Sequence, residues 1–168
     1  PDSVTSIGDY AFYMCWILED VIFPERLTEI GSYAFYNSIR MKTVSIPGTV
    51  KSIGIYAFRG CTGITQLTIP EGVTTLEARA FYYCTYLKTL VIPDSVTSIG
   101  DYVFYRSSGF SGNVSIGNAV KYIPDYAFYE CTGLRGKITI GENVTSIGIR
   151  AFAGNKSLIW LYQTPSQR

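Results

Sequence analysis

Phenylalanine returns at Phe12, Phe35, Phe58, Phe81, Phe104, Phe128 and Phe152, spaced by 23 residues as far as Phe104 and by 24 thereafter. A fixed period in the twenties marks a stack of similar coils, because one such unit cannot bury its apolar edge alone. The residues just before the phenylalanines are Ala11, Ala34, Ala57, Ala80, Val103, Ala127 and Ala151. Further apolar columns run through Val4, Leu27, Val50, Val73, Val96, Val120 and Val144, and through Ile7, Ile30, Ile53, Leu76, Ile99, Ile123 and Ile147. Another follows Leu18, Met41, Ile64, Leu87, Phe110, Leu134 and Leu158. The Ile-Pro junctions place coil starts at Pro1, Pro24, Pro47, Pro70, Pro93, Gly117 and Gly141. We therefore expect a single domain over residues 1–168, a right-handed solenoid of about seven coils with parallel short strands on one face.

Within one coil, Leu87-x-x-Leu90-x-Ile92 alternates apolar and polar as a short strand does, and Pro93 then stops it. Val96-Thr97-Ser98-Ile99 reads as a second extended piece rich in β-branched residues. Ala80-Phe81-x-x-Cys84 puts three small or apolar side chains on one face of a helical turn, so short helical turns are expected opposite the strands. Asp9, Ser32, Asp101 and Asp125 precede those turns, where a side-chain oxygen can cap free N–H groups. In the column of Gly8, Pro124 replaces glycine, so that position does not demand a left-handed backbone.

The wording IPDSVTSIGDYAFYxC, carried by Pro1–Cys15 and, with Val103 and Ser107 for its alanine and cysteine, by Ile92–Ser107, resembles the BspA-like leucine-rich repeats of bacterial and protozoan surface proteins. The resemblance covers essentially the whole chain. It departs from the ordinary LxxLxLxxNxL pattern, since Ser95 holds the asparagine position and Val96 is the next apolar residue. It implies a surface-exposed, adhesion or host-protein-binding role, an extracellular or cell-surface location, and no catalytic residues. Pro1 already falls inside a repeat, so the natural protein is expected to extend upstream.

Composition narrows the chemistry. Net charge is +1 with no basic block, which gives nucleic acid nothing to hold, and no apolar run approaches the roughly 18 residues of a membrane span. Histidine is absent, removing the commonest general base and metal ligand. Cys15, Cys61, Cys84 and Cys131 share one column with Ser38, Ser107 and Asn155 and form no CxxC pair. That column reads as a narrow buried slot with free thiols, or as a site where Cys61 and Cys84 bridge adjacent coils about 5 Å apart. Acids follow the junctions at Asp2, Glu25, Glu71, Asp94 and Glu142; they serve as turn residues or, where Glu71 and Asp94 adjoin, as paired carboxylates for calcium or hydrolysis. No cofactor is called for.

Two surfaces remain as binding candidates. Tyrosines form near-columns at Tyr10, Tyr33, Tyr56, Tyr102 and Tyr126 and at Tyr13, Tyr36, Tyr82, Tyr105 and Tyr129, interrupted by Arg59, Arg79 and Arg150. They either grip glycan or protein or cover the edge and stack on one another. The outward strand positions are Asp20 and Ile22, then the candidate partner-binding set Thr43, Ser45, Gln66, Thr68, Thr89, Val91, Asn113, Ser115, Lys137, Thr139, Trp160 and Tyr162. This hydroxyl-rich face is expected to bind a protein, with glycan as a second possibility, since the sheet face is the usual extended surface of a solenoid. Trp160 and Tyr162 are read either as closing the stack or as an aromatic anchor. Two other readings stand beside this adhesin-type module: a spacer with no ligand of its own, and a carbohydrate-active solenoid enzyme.

Overall fold

The computed structural model describes residues 2–160. One strand column comprises β1 (Ser6–Ile7), β2 (Glu29–Ile30), β4 (Ser52–Ile53), β6 (Thr75–Leu76), β8 (Ser98–Ile99), β10 (Tyr122–Ile123) and β12 (Ser146–Ile147). The other, the strand face, comprises β3 (Thr43–Ser45), β5 (Gln66–Thr68), β7 (Leu90–Ile92), β9 (Val114–Ile116), β11 (Lys137–Thr139) and β13 (Ile159–Trp160). Every pairing is parallel, and all but that of β11 with β13 join equivalent residues of neighbouring coils, as Thr43 with Gln66 and Val91 with Ser115. The chain is thus a parallel β-solenoid with one continuous core, its seven β1-type strands marking seven coils.

Strand hydrogen bonding is interrupted twice. On the strand face it lapses between β5 and β7, and in the other column between β8 and β10. The second lapse has a covalent cause. Gly31, Gly54, Glu77 and Gly100 each donate an N–H to the isoleucine or leucine carbonyl of the preceding coil, at 2.8–2.9 Å. Pro124 occupies the same place and has no N–H to give. None of the glycines in that column has a positive φ, as the proline substitution implies. In the first coil the stretch equivalent to the strand face, which includes Asp20 and Ile22, is not a strand.

The edge opposite the strands is built differently from the expectation: no helix occurs among the described residues. In a helix each N–H returns to the carbonyl four residues earlier in its own turn. Here the N–H groups alternate. Ala34, Tyr36 and Ser38 close turns onto Gly31, Tyr33 and Phe35, whereas Tyr33, Phe35 and Asn37 donate to Ile55, Ala57 and Arg59 of the next coil at 2.7–2.8 Å. The same three-rung pattern joins Tyr102, Phe104 and Arg106 to Asp125, Ala127 and Tyr129. Reaching it requires left-handed residues at two positions per coil. Tyr10, Tyr33, Tyr56, Arg79, Tyr102, Tyr126 and Arg150 fill the first, with φ of 51–60°. The second is filled by Met14, Asn37, Gly60, Tyr83, Arg106, Glu130 and Gly154. A non-glycine residue there costs roughly 1–2 kcal/mol, which the added inter-coil hydrogen bonds and ring stacking offset.

Inside that edge the phenylalanines form one column. Phe35, Phe58, Phe81, Phe104 and Phe128 are fully buried, with ring centroids 5.1–5.4 Å apart along the column and near-parallel planes. Phe23 and Phe110 reach it edge-on from the strand side.

Candidate functional site

The cysteine column has a role that its small size alone did not reveal. Cys61 Sγ donates to the Phe35 carbonyl at 2.9 Å, Cys84 to Phe58 at 3.3 Å and Cys131 to Phe104 at 3.0 Å. Ser38 and Ser107 do the same for Phe12 and Phe81 at 3.0 Å, and Asn155 for Phe128 at 2.8 Å. The position therefore selects a short donor that satisfies a buried carbonyl of the preceding coil. The presence of Ser and Asn among the cysteines was the readable signal. All four thiols are free, and burial pushes Cys61 up to about 12, well away from a reactive thiolate.

Two of the junction acids, Glu71 and Asp94, are likewise committed to backbone. Glu71 Oε2 accepts the Ser95 N–H at 3.1 Å, Asp94 Oδ1 accepts that of Asn118 at 2.6 Å, and Asn118 Oδ1 accepts that of Glu142 at 3.0 Å. Asp9 and Asp125 reach forward to the N–H groups of Ser32 and Ile149, each at 2.7 Å, so they cap the following coil rather than their own. Among the described residues no group of histidine, cysteine and acid side chains is arranged to hold a metal ion.

The tyrosines stack. Tyr10–Tyr33, Tyr82–Tyr105 and Tyr102–Tyr126 have centroids 4.7–4.8 Å apart and planes within 8° of parallel. Where arginine interrupts a column it keeps the stack going: the Arg59 guanidinium lies 4.7 Å from the Tyr36 ring centre and 5.3 Å from that of Tyr82. Arg79 sits 5.5 Å from Tyr56 and 4.6 Å from Tyr102. Ring faces that a sugar would need are largely occupied by neighbours.

On the strand face, Thr43, Ser45, Gln66, Thr68, Thr89, Val91 and Asn113 are exposed and Ser115, Lys137 and Thr139 half-buried. The buried partners Val44, Leu67, Leu90, Val114 and Ile138 alternate with them and face the core. Val91 is 62% exposed in the middle of this row. Asn113 Oδ1 accepts the Lys137 N–H at 3.0 Å; among the described residues the other side chains of the set from Thr43 to Thr139 make no hydrogen bond or ion pair. In β13 the backbone of Ile159 pairs with Lys137 and that of Trp160 with Ile138. Tyr162 falls outside the described residues.

Compared with known families, residues 1–111 and 110–164 match the BspA type leucine-rich repeat region in six copies. A leucine-rich cell surface protein of Faecalibacterium prausnitzii has a solved structure similar to this chain, at 28% identity and a TM-score of 0.67 over 94% of the chain. A leucine-rich repeat protein of T. pallidum is 26% identical over 79% of the chain, with a TM-score of 0.57, and 72% of that protein is covered. A pneumococcal vaccine antigen, 19% identical over 83% of this chain and covered over 38% of its own length, shares the fold at a TM-score of 0.59. The chain spans 50% of the Faecalibacterium protein's length. No curated protein matches it.

Proposed function

Because the chain belongs to the BspA-type leucine-rich repeat family, we propose that it is a non-catalytic, adhesin-type module of a cell-surface or secreted protein. It binds a partner protein through its strand face. The observation that carries this reading is the unequal use of side chains. The stacked tyrosines, Glu71, Asp94 and the buried cysteines hold coils together, while Thr43, Ser45, Gln66, Thr68 and Val91 are held in register by the sheet and left facing water. A flat row of hydroxyl groups around an exposed valine offers both hydrogen bonds and apolar contact without a charge to desolvate. The Faecalibacterium relative is described as a cell surface protein, which supports the same location here.

Immobilised extracellular matrix proteins and a panel of host glycans test the reading directly. Binding to a protein that is lost in Thr68→Lys and Val91→Lys, with melting unchanged, supports it. Binding unaffected by charge anywhere on the strand face would favour a spacer, and binding confined to the panel's sugars would move the ligand class to glycan.

A further inference from the structure

Ten of the fourteen tyrosines lie in the two edge columns, and the function proposed above makes no use of them. Of the five tyrosine pairs stacked across adjacent coils among the described residues, three are the nearest and most parallel: Tyr10–Tyr33 at 4.8 Å and 6°, Tyr82–Tyr105 at 4.8 Å and 8°, and Tyr102–Tyr126 at 4.7 Å and 3°. Tyr10 is exposed and the other five are half-buried, so their edges meet solvent. Such placement puts the ring carbons beside each hydroxyl close to their counterparts on the next coil, in the one reaction where two phenols join directly.

We propose that these three pairs are sites of oxidative tyrosine–tyrosine cross-linking, which staples successive coils of the solenoid. The oxidant is hydrogen peroxide used by a haem peroxidase. Each phenol loses one electron and its hydroxyl proton, giving two phenoxyl radicals, and the peroxide takes up both electrons and both protons to become two waters. The radicals couple through a carbon–carbon bond between positions beside the hydroxyls. The hydrogens on those carbons then shift to the oxygens, restoring both aromatic rings. Stacking decides the outcome because a radical formed on one ring already has its partner in contact. Tyr86 supplies the contrast: it is 64% exposed, yet among the described residues it has no ring beside it. A staple between residues 102 and 126 closes a short loop in the unfolded chain, so it stabilises as other covalent cross-links do.

The test treats the dilute, purified chain with haem peroxidase and hydrogen peroxide. Dityrosine fluorescence, size-exclusion chromatography and peptide mass spectrometry are the readouts. The expected result is dityrosine in the monomer, in peptides joining Tyr10 to Tyr33, Tyr82 to Tyr105 and Tyr102 to Tyr126, each lighter by two hydrogens, with a raised melting temperature. Tyr102→Phe keeps the stacked ring but has no hydroxyl to oxidise, so it should lose the Tyr102–Tyr126 linkage and keep the others. Absence of dityrosine, its confinement to oligomers, or linkages led by the exposed Tyr86 would overturn the proposal. None of these outcomes depends on what the strand face binds.

Discussion

Along the turn edge, Phe58, Phe81 and Phe104 stack at 5.3–5.4 Å and each passes its carbonyl to a cysteine or serine of the next coil. Along the strand face, Gln66, Thr68 and Val91 stand on paired or adjacent strands of the same spacing and touch little besides water. The backbone repeat is common to both regions, but only one of them draws cohesion from its side chains. The lesson is that the stack is held from the rear. The front is therefore free to vary, and side-chain changes there are expected to leave folding largely unaffected.

The sharpest way to break this contrast is Phe81→Ala. Its ring is fully buried between two others, and truncating it is expected to cost about 3–5 kcal/mol. Denaturant titration showing a loss under 1 kcal/mol would mean that the rear column is not the source of cohesion.

A second test uses pH. The folded Cys61 keeps its proton from its ordinary value of 9.0 up to about 12, while the unfolded chain releases it. Stability is thus complete below pH 9.0 and falls as pH rises through that window, by up to about 1.4 kcal/mol per unit for this thiol. Melting curves of Cys61→Ser, which keeps the donor, should decline less over the same range. The same column predicts that all four thiols titrate after denaturation without reductant; recovery of only two would reveal a Cys61–Cys84 bridge.

Ser107→Ala should be milder. It strips a partner from both the Phe81 carbonyl and the Cys84 N–H, a loss of about 1–3 kcal/mol that Ser107→Cys should largely repair. Smallest of all, Thr68→Lys and Val91→Lys should change stability by less than about 0.5 kcal/mol while removing partner binding. A large melting shift in either would show that the front is structural too.

The columns of the stack were legible because burial repeats with the coil: Phe81, Val96 and Leu76 all stand where the period placed them, fully buried. The turn edge was not. Ala80-Phe81-x-x-Cys84 has helical spacing, but whether an N–H returns to its own turn or crosses to the next coil depends on a neighbour 23 residues away. The local hint was the column of Asn37, Gly60 and Gly154, residue types that accept a left-handed backbone readily. Tyr33 and Tyr56 gave no such hint, since their φ is imposed by the ladder rather than by preference. Continuing the alternation of Lys137 and Thr139 set a register for the last coil from which the backbone pairing of β13 differs by one residue. Exposure of the strand face could be read from its threonines and serines; the identity of a partner could not, since it depends on a second surface.

The three rungs of the turn edge all run one way, from the N–H groups of each coil to the carbonyls of the next. In the backbone of that edge every coil therefore has a donor side and an acceptor side, like a brick with studs above and sockets below. A stretch of gene encoding one whole coil can be copied in tandem and its product will seat between any two neighbours in the correct sense. A copy that is short or long by several residues shifts studs off sockets. The 24-residue spacing from Phe104 to Phe128 marks a departure that the stack tolerates, since the three rungs stay intact across it. Inheritance of such a chain can thus lengthen the rod by counting coils, leaving the face that meets the outside world to diverge one residue at a time.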